Sequence, residues 1–233
     1  MNSRIKLLGL ALSIIGVLFM GGSVFAYSMV ADGQNSLQTF SEAQNVTLSY
    51  NDDGVLVDRG EAAGAEAIRA LLEDDWGYAV VESDFNADDP LVNTGTEYMY
   101  QMALIAYHTL NSVNTVVLDE AVEYNGETFA AGTYEVATDG KYWTDFDRMH
   151  PLEGPAREMA WTGTAHGLIG ELGVGSVTAS TLQLGLGIVA LIAGLGLIFI
   201  GTGLALVWIA GGDKKKDSKE ALATESVREP ATA

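Results

Sequence analysis

Two long stretches without a charged residue constrain this chain more than any other feature. Residues 7–31 and 172–212 contain no Asp, Glu, Lys or Arg. At about 1.5 Å of rise per helical residue, LLGLALSIIGVLFMGGSVFA in the first is long enough to cross a hydrocarbon layer roughly 30 Å thick. In the second, LQLGLGIVALIAGLGLIFIGTGLALVWIA exceeds the minimum span, so it should tilt or project beyond the bilayer, with Trp208 where an interfacial anchor belongs. The expected layout is a cytoplasmic start at residues 1–6, a transmembrane helix at 7–29, an acidic extracytoplasmic domain at 30–181, a second transmembrane helix at 182–210 and a disordered cytoplasmic tail at 211–233.

Orientation follows from basic residues near the spans, because Lys and Arg resist translocation. Arg4 and Lys6 precede the first span, and Lys214, Lys215 and Lys216 follow the second. On the other side the nearest bases, Arg59 and Arg157, are far from either boundary. Both termini are therefore expected in the cytoplasm, with the chain in the plasma membrane. A cleavable signal peptide is the competing reading of the first stretch, since small residues at Val24 and Ala26 precede Tyr27. Cleavage would leave the same outside domain on one C-terminal anchor.

Small residues recur every seven positions in both spans: Gly9, Gly16 and Ser23 in the first, Gly187, Gly194 and Gly201 in the second. A seven-residue repeat is a left-handed packing seam, and helices in lipid associate through close backbone approach. An antiparallel pair would set Gly9 near Gly201, Gly16 near Gly194 and Ser23 near Gly187. Glycine is also common in membrane helices generally, and the same seam could face another subunit.

The chain's net charge of −19 is unevenly spread. Residues 1–26 carry +2 and residues 211–233 are balanced, so −21 falls between them. A surface this acidic repels nucleic-acid phosphates, which excludes a nucleic-acid partner, and it attracts cations or basic protein surfaces. With no cysteine, disulfides, thiolate metal sites and cysteine nucleophiles are excluded.

The central segment reads as α+β: two to three helices and an antiparallel β-meander, flanked by the two transmembrane helices. Alternation at residues 46–50 predicts a short strand ending in the turn cluster Asn51-Asp52-Asp53-Gly54. Asp58 with Glu61 resembles a capping box ahead of an apolar helical stripe at Ala65, Ile68, Leu71 and Leu72. Residues 78–81 suit a buried strand, and Thr94 with Glu97 predicts a second capped helix carrying Tyr100, Ala103, Leu104 and Tyr107. From Val113 to Thr144 the period becomes two, with Asn125-Gly126 and Asp139-Gly140 as hairpin turns of a three- or four-stranded meander. Pro155 should open a third helix running through residue 172, and the glycine-rich residues 167–180 should connect it to the membrane.

Candidate chemistry is sparse. Asp84, Asn86 and Asp88 have the alternating oxygen ligands of a calcium loop, but Asp89 stands where the turn glycine belongs and Gly95 where the final Glu belongs. Asp145, Asp147 and His150, with Glu153 close behind, could hold a divalent cation or supply a general base, or simply cap the following helix. His108 and His166 read as structural. No G-x-S-x-G, H-E-x-x-H, P-loop or dinucleotide fingerprint occurs, and no cofactor is expected. Asn45-Val46-Thr47 matches a glycosylation acceptor, relevant only in a secretory eukaryotic host.

The stretch KYWTDFDRMHPLEGPAREMAWTGTA, followed by GIVALIAGLGLIFIGTG, resembles a family of small two-span membrane proteins of actinobacteria. Tyr142, Asp145, Asp147, Arg148, Pro151 and Arg157 look like the positions of its motif. His150 stands where an acid is expected, and residues 113–136 look like an addition. The resemblance implies an acidic extracytoplasmic domain between two spans rather than an activity. The leading expectation is a non-enzymatic interaction module, an accessory or structural subunit of a larger membrane complex, whose partners are lipid and other membrane subunits. The alternative is an extracytoplasmic sensor or binding domain for divalent cations or a small solute, and a third reading is an enzyme using Asp145, Asp147 and His150.

Overall fold

A computed structural model describes the backbone of residues 2–226 and the side chains of residues 3–211. The chain divides into two units, one formed by residues up to Gln34 with those from Leu182 onward, the other by Asn35–Thr181. Two helices, α1 (Asn2–Gln44) and α5 (Gly163–Ser226), contribute to both. Both are long and apolar enough to cross a membrane. Helical backbone continues through residue 226, so the tail expected to be disordered is helical over 211–226; residues 227–233 and the side chains of Lys214, Lys215 and Lys216 lie outside the described residues.

In the first unit, α1 and α5 run antiparallel, with Gly9 beside Gly203, Gly16 beside Gly196 and Gly33 beside Leu182. Phe19 and Phe199 meet edge to face at 5.7 Å between ring centres. Along residues 7–31 and 182–211 many of the large apolar side chains are exposed: Leu18 and Phe25 are each 68% exposed, Leu191 63% and Trp208 81%.

The second unit is an α+β domain. Its core gathers Leu48, Ala65, Ile68, Leu72, Val92, Tyr98, Tyr100, Ala103 and Leu172. Helix α2 (Ala62–Ala70) supplies Ala65 and Ile68, then widens into a π turn at Leu71–Asp75 and stops at Gly77, whose φ of +65° suits glycine. The expected Asp58–Glu61 capping box does not form. Each of those residues donates its backbone N–H to the other's carbonyl, and the Asp58 carboxylate is taken by His108. The second expected cap does form. Thr94 Oγ1 accepts from Glu97 N–H, Glu97 Oε2 accepts from Thr94 N–H, and helix α3 (Gly95–Leu110) follows.

The expected meander is replaced by two separate antiparallel pairs. Asn125 and Gly126, both at positive φ, fold β2 (Val122–Tyr124) onto β3 (Glu127–Phe129). The same reversal, continued outward, places β1 (Val113–Leu118) against β4 (Gly132–Ala137), with Val113 opposite Ala137 and Val116 opposite Tyr134. Asp139-Gly140 joins no strands; Gly140 N–H donates to Leu110 at the end of α3. Residues 46–50 and 78–81 form no ladder. The first make only isolated bridges, Thr47 to Leu91 and Tyr50 to Leu56, and the second lead into a 3-10 turn at Glu82–Asp84.

The single helix expected from Pro155 onward is two helices, α4 (Glu153–Ala160) and α5. Trp161 breaks them apart with a non-helical ψ of 66°, because its buried indole donates to Lys141 O, and Thr162 Oγ1 then caps α5 by accepting from Ala165 N–H. The glycine-rich residues 167–180 are helical rather than a connection. Gly175 is required there: a Cβ would stand 2.6 Å from the Tyr98 ring.

The Tyr100 hydroxyl is buried without a hydrogen-bond partner among the described residues, and burial pushes its pKa upward. Removing a stranded polar group relieves about 1–3 kcal/mol of desolvation cost. Tyr100→Phe is therefore expected to raise the thermal midpoint of the domain, read by circular dichroism; a fall would mean that the hydroxyl has an acceptor.

Candidate functional site

The helix pair carries the feature most suggestive of function. Gly9 and Gly16 are buried against α5, and Ser23, on the same seven-residue period of α1, is also buried. On α5 the contact uses other residues than expected. A Cβ on Gly196 would lie 3.0 Å from Gly16 O, and one on Gly203 would lie 2.5 Å from Gly9 O and collide with Ser13 Oγ. Gly187, Gly194 and Gly201, the expected partners, have nothing within 4 Å of where a Cβ would stand.

The correction has a simple cause. Gly194 and Gly196, like Gly201 and Gly203, are two residues apart, which on a helix is about 200°, so the two sets share one period and occupy opposite faces. Buried Ala210 continues the observed set, Gly196, Gly203, Ala210. Seam hydroxyls are satisfied within their own helix: Ser13 Oγ donates to Gly9 O at 3.0 Å and Ser23 Oγ to Met20 O at 2.8 Å. That leaves α5 with one glycine face occupied and a second open.

In the α+β unit, the loop between β4 and α4 brings Asp145, Asp147, His150 and Glu153 near one another but engages each locally. Asp145 Oδ2 accepts from Tyr142 N–H. Asp147 Oδ2 accepts from the Tyr124 hydroxyl at 2.6 Å and Oδ1 from Met149 N–H, bonds that hold its carboxyl below the usual range. His150 Nδ1 accepts from Leu152 and Glu153 N–H, and its ring packs edgewise on Tyr124 and Phe129. Glu153 accepts from Lys141 Nζ at 2.7 Å and from Asp147 N–H, and the lysine lowers its pKa. The carboxylates thus brace the loop, and of the cluster only the imidazole meets the N–H groups at the start of α4; the carboxylates do not cap that helix.

The other candidates are similarly placed. Asn86 Oδ1 accepts from Asp88 N–H in a tight turn, while Asp84 ends the 3-10 turn. Among the described residues no three His, Asp or Glu side chains converge as a metal would need. His108 Nε2 pairs with Asp58 Oδ1 at 3.0 Å, and His166 packs on Trp143 and Trp161.

Two residues of consequence escape a reading of the sequence. Glu97 signals only a cap, yet it is 1% exposed, and burial raises its pKa against the lowering effect of the N–H groups of Asn93 and Thr94. Arg157 is buried with its guanidinium 3.8 Å over the Trp143 ring. No local spacing announces either burial. Comparison of the chain with protein families, with curated proteins and with solved structures finds no match.

Proposed function

We propose that this protein is a non-enzymatic, membrane-anchored interaction module, an accessory subunit of a larger membrane assembly. Its two apolar helices span the plasma membrane with both termini in the cytoplasm, and the acidic α+β unit stands outside. The exposed apolar side chains along both helices support a hydrocarbon surrounding, where such exposure has no cost. Arg4, Lys6 and the lysines from 214 to 216 support the orientation.

The observation that carries the assembly reading is the unused glycine face of α5. A helix pair needs one close-packing seam, and Gly196 with Gly203 provides it. The second face, Gly187, Gly194 and Gly201, offers the same close approach to a helix of another protein, the usual basis of association in lipid. Mild-detergent affinity purification from native membranes tests the reading. Wild type should bring down one or more membrane proteins in fixed ratio, and Gly194→Leu should lose them while the chain still inserts. Recovery of a lone chain from native membranes would overturn it.

A further inference from the structure

Three helices that contribute to the α+β unit enclose a cavity of about 200 Å³, and each turns one face to it. Phe40 and Gln44 on α1, Gln101 and Ile105 on α3, and Leu168 and Leu172 on α5 line it, and helical spacing puts each set on one side of its helix. Buried Ser41, Val92 and Tyr98 form the inner wall with Leu172. The hydroxyls of that wall are already committed: Ser41 Oγ donates to Leu37 O at 3.0 Å, so the Tyr98 hydroxyl donates to Ser41 Oγ at 2.7 Å. Gly175 lets the α5 backbone lie against the Tyr98 ring and hold it in place. The cavity is therefore preformed, and its depth is apolar.

Its outer edge is polar. Gln44, Gln101 and Glu171 make no side-chain hydrogen bond or ion pair among the described residues. Glu171 lies between Leu168 and Leu172 on the face of α5 that lines the cavity, and it is exposed. It is the one charged residue of the lining; none of the five basic residues in 27–210, a stretch that carries −21, borders this space. Charge of this sign repels an anion and draws in a cation. A bare metal ion does not suit the site, because a hard cation needs several oxygen ligands and most of this wall is carbon.

We propose that this cavity binds a small organic ammonium ion, its apolar body against Tyr98, Ile105 and Leu172 and its charged end at the mouth beside Glu171. The amide oxygens of Gln44 and Gln101 can accept from the ammonium, and the Phe40 ring adds an aromatic face that a cation favours. An apolar body in a preformed pocket with a few polar groups fixing one end is the usual composition of a small-molecule site. A cavity of about 150 Å³ holds benzene, so this volume suits one ring or one branched alkyl group. The site does not depend on the assembly reading: it involves neither glycine face.

Calorimetric titration of the full-length chain in nanodiscs, with empty nanodiscs subtracted, tests it using three ligands of one shape: benzylammonium, benzyl alcohol and benzoate. One benzylammonium should bind per chain, with a dissociation constant on the order of 1 mM or tighter, ahead of benzyl alcohol, with benzoate weakest. Glu171→Gln, at an exposed position that does not endanger folding, should weaken benzylammonium about three- to fivefold, the scale of one solvent-bordered ion pair, and leave benzyl alcohol unchanged. Phe40→Ala, also at an exposed position, removes part of the apolar wall and should weaken both ligands at least about threefold. Absence of saturable benzylammonium binding up to about 10 mM, benzyl alcohol or benzoate binding as tightly as benzylammonium, or benzylammonium affinity unchanged in either variant would overturn the proposal.

Discussion

Gly196→Leu or Gly203→Leu is expected to force the two long helices apart, whereas Gly194→Leu or Gly201→Leu leaves them paired. A Cβ at Gly203 would stand 2.5 Å from a backbone oxygen of Gly9, and one at Gly16 would stand 2.7 Å from Gly196 O. Backbone atoms cannot rotate away as a side-chain end can, so the helices themselves must separate. Such overpacking costs typically about 1–3 kcal/mol, and loss of close contact along the seam adds to it. The chain has no cysteine, so Phe19→Cys with Phe199→Cys gives a clean cross-linking pair at rings 5.7 Å apart. Cross-linking in membranes should fall about five- to a hundredfold in the Gly196 and Gly203 variants, the factor that this energy implies. Equal cross-linking in all four variants would show that the seam does not hold the pair.

The second large effect belongs to Glu97. Its carboxylate is buried at the start of α3, where Oε2 accepts from the N–H groups of Asn93 and Thr94 at 3.0 and 2.9 Å. Glu97→Ala leaves both donors without their acceptor and dismantles the capping box, at a cost of about 2–5 kcal/mol. That is a large part of the stability of a domain this size. Glu97→Gln retains an acceptor oxygen and the capping pattern, so it should fold.

The same residue sets a pH dependence. Burial raises its folded-state pKa above the unfolded value, so between the two the folded chain binds more protons than the unfolded chain. Stability from this group is therefore full below the ordinary glutamate range and is lost as pH rises through the raised folded value. Urea unfolding of wild type and Glu97→Gln across that range should show their stability difference shifting in favour of the Gln variant as pH rises. A difference that moves the other way would mean that the N–H groups of Asn93 and Thr94 outweigh burial.

The sequence determined whatever depends on local pattern or on totals. Length without charge marked both long helices, the Thr94–Glu97 spacing marked the cap of α3, and Asn125-Gly126 marked a hairpin turn, since each is decided by a few adjacent residues. Charge counting isolated the acidic centre, and the seven-residue period identified Gly9, Gly16 and Ser23 as the buried face of α1.

Tertiary structure decided what depends on which partner arrives. On α5 two glycine sets share one period on opposite faces, and only contact with α1 selects Gly196 and Gly203 over Gly194 and Gly201. Asp58 and Glu61 have the spacing of a cap, but His108, fifty residues away, takes the Asp58 carboxylate instead. Trp161 has no local reason to break a helix; its indole is drawn to Lys141 O, and α4 and α5 separate there. The cluster Asp145, Asp147, His150 and Glu153 looks like a ligand set when only spacing is visible, yet Tyr124 and Lys141 reach it from elsewhere in the chain. Arg157 looks like an ordinary basic residue until Trp143 covers it. Side-chain identity fixes what a group can bond, but burial and partner are properties of the packed chain, and these leave two Arg157 nitrogens, rather than the acidic loop, without acceptors among the described residues.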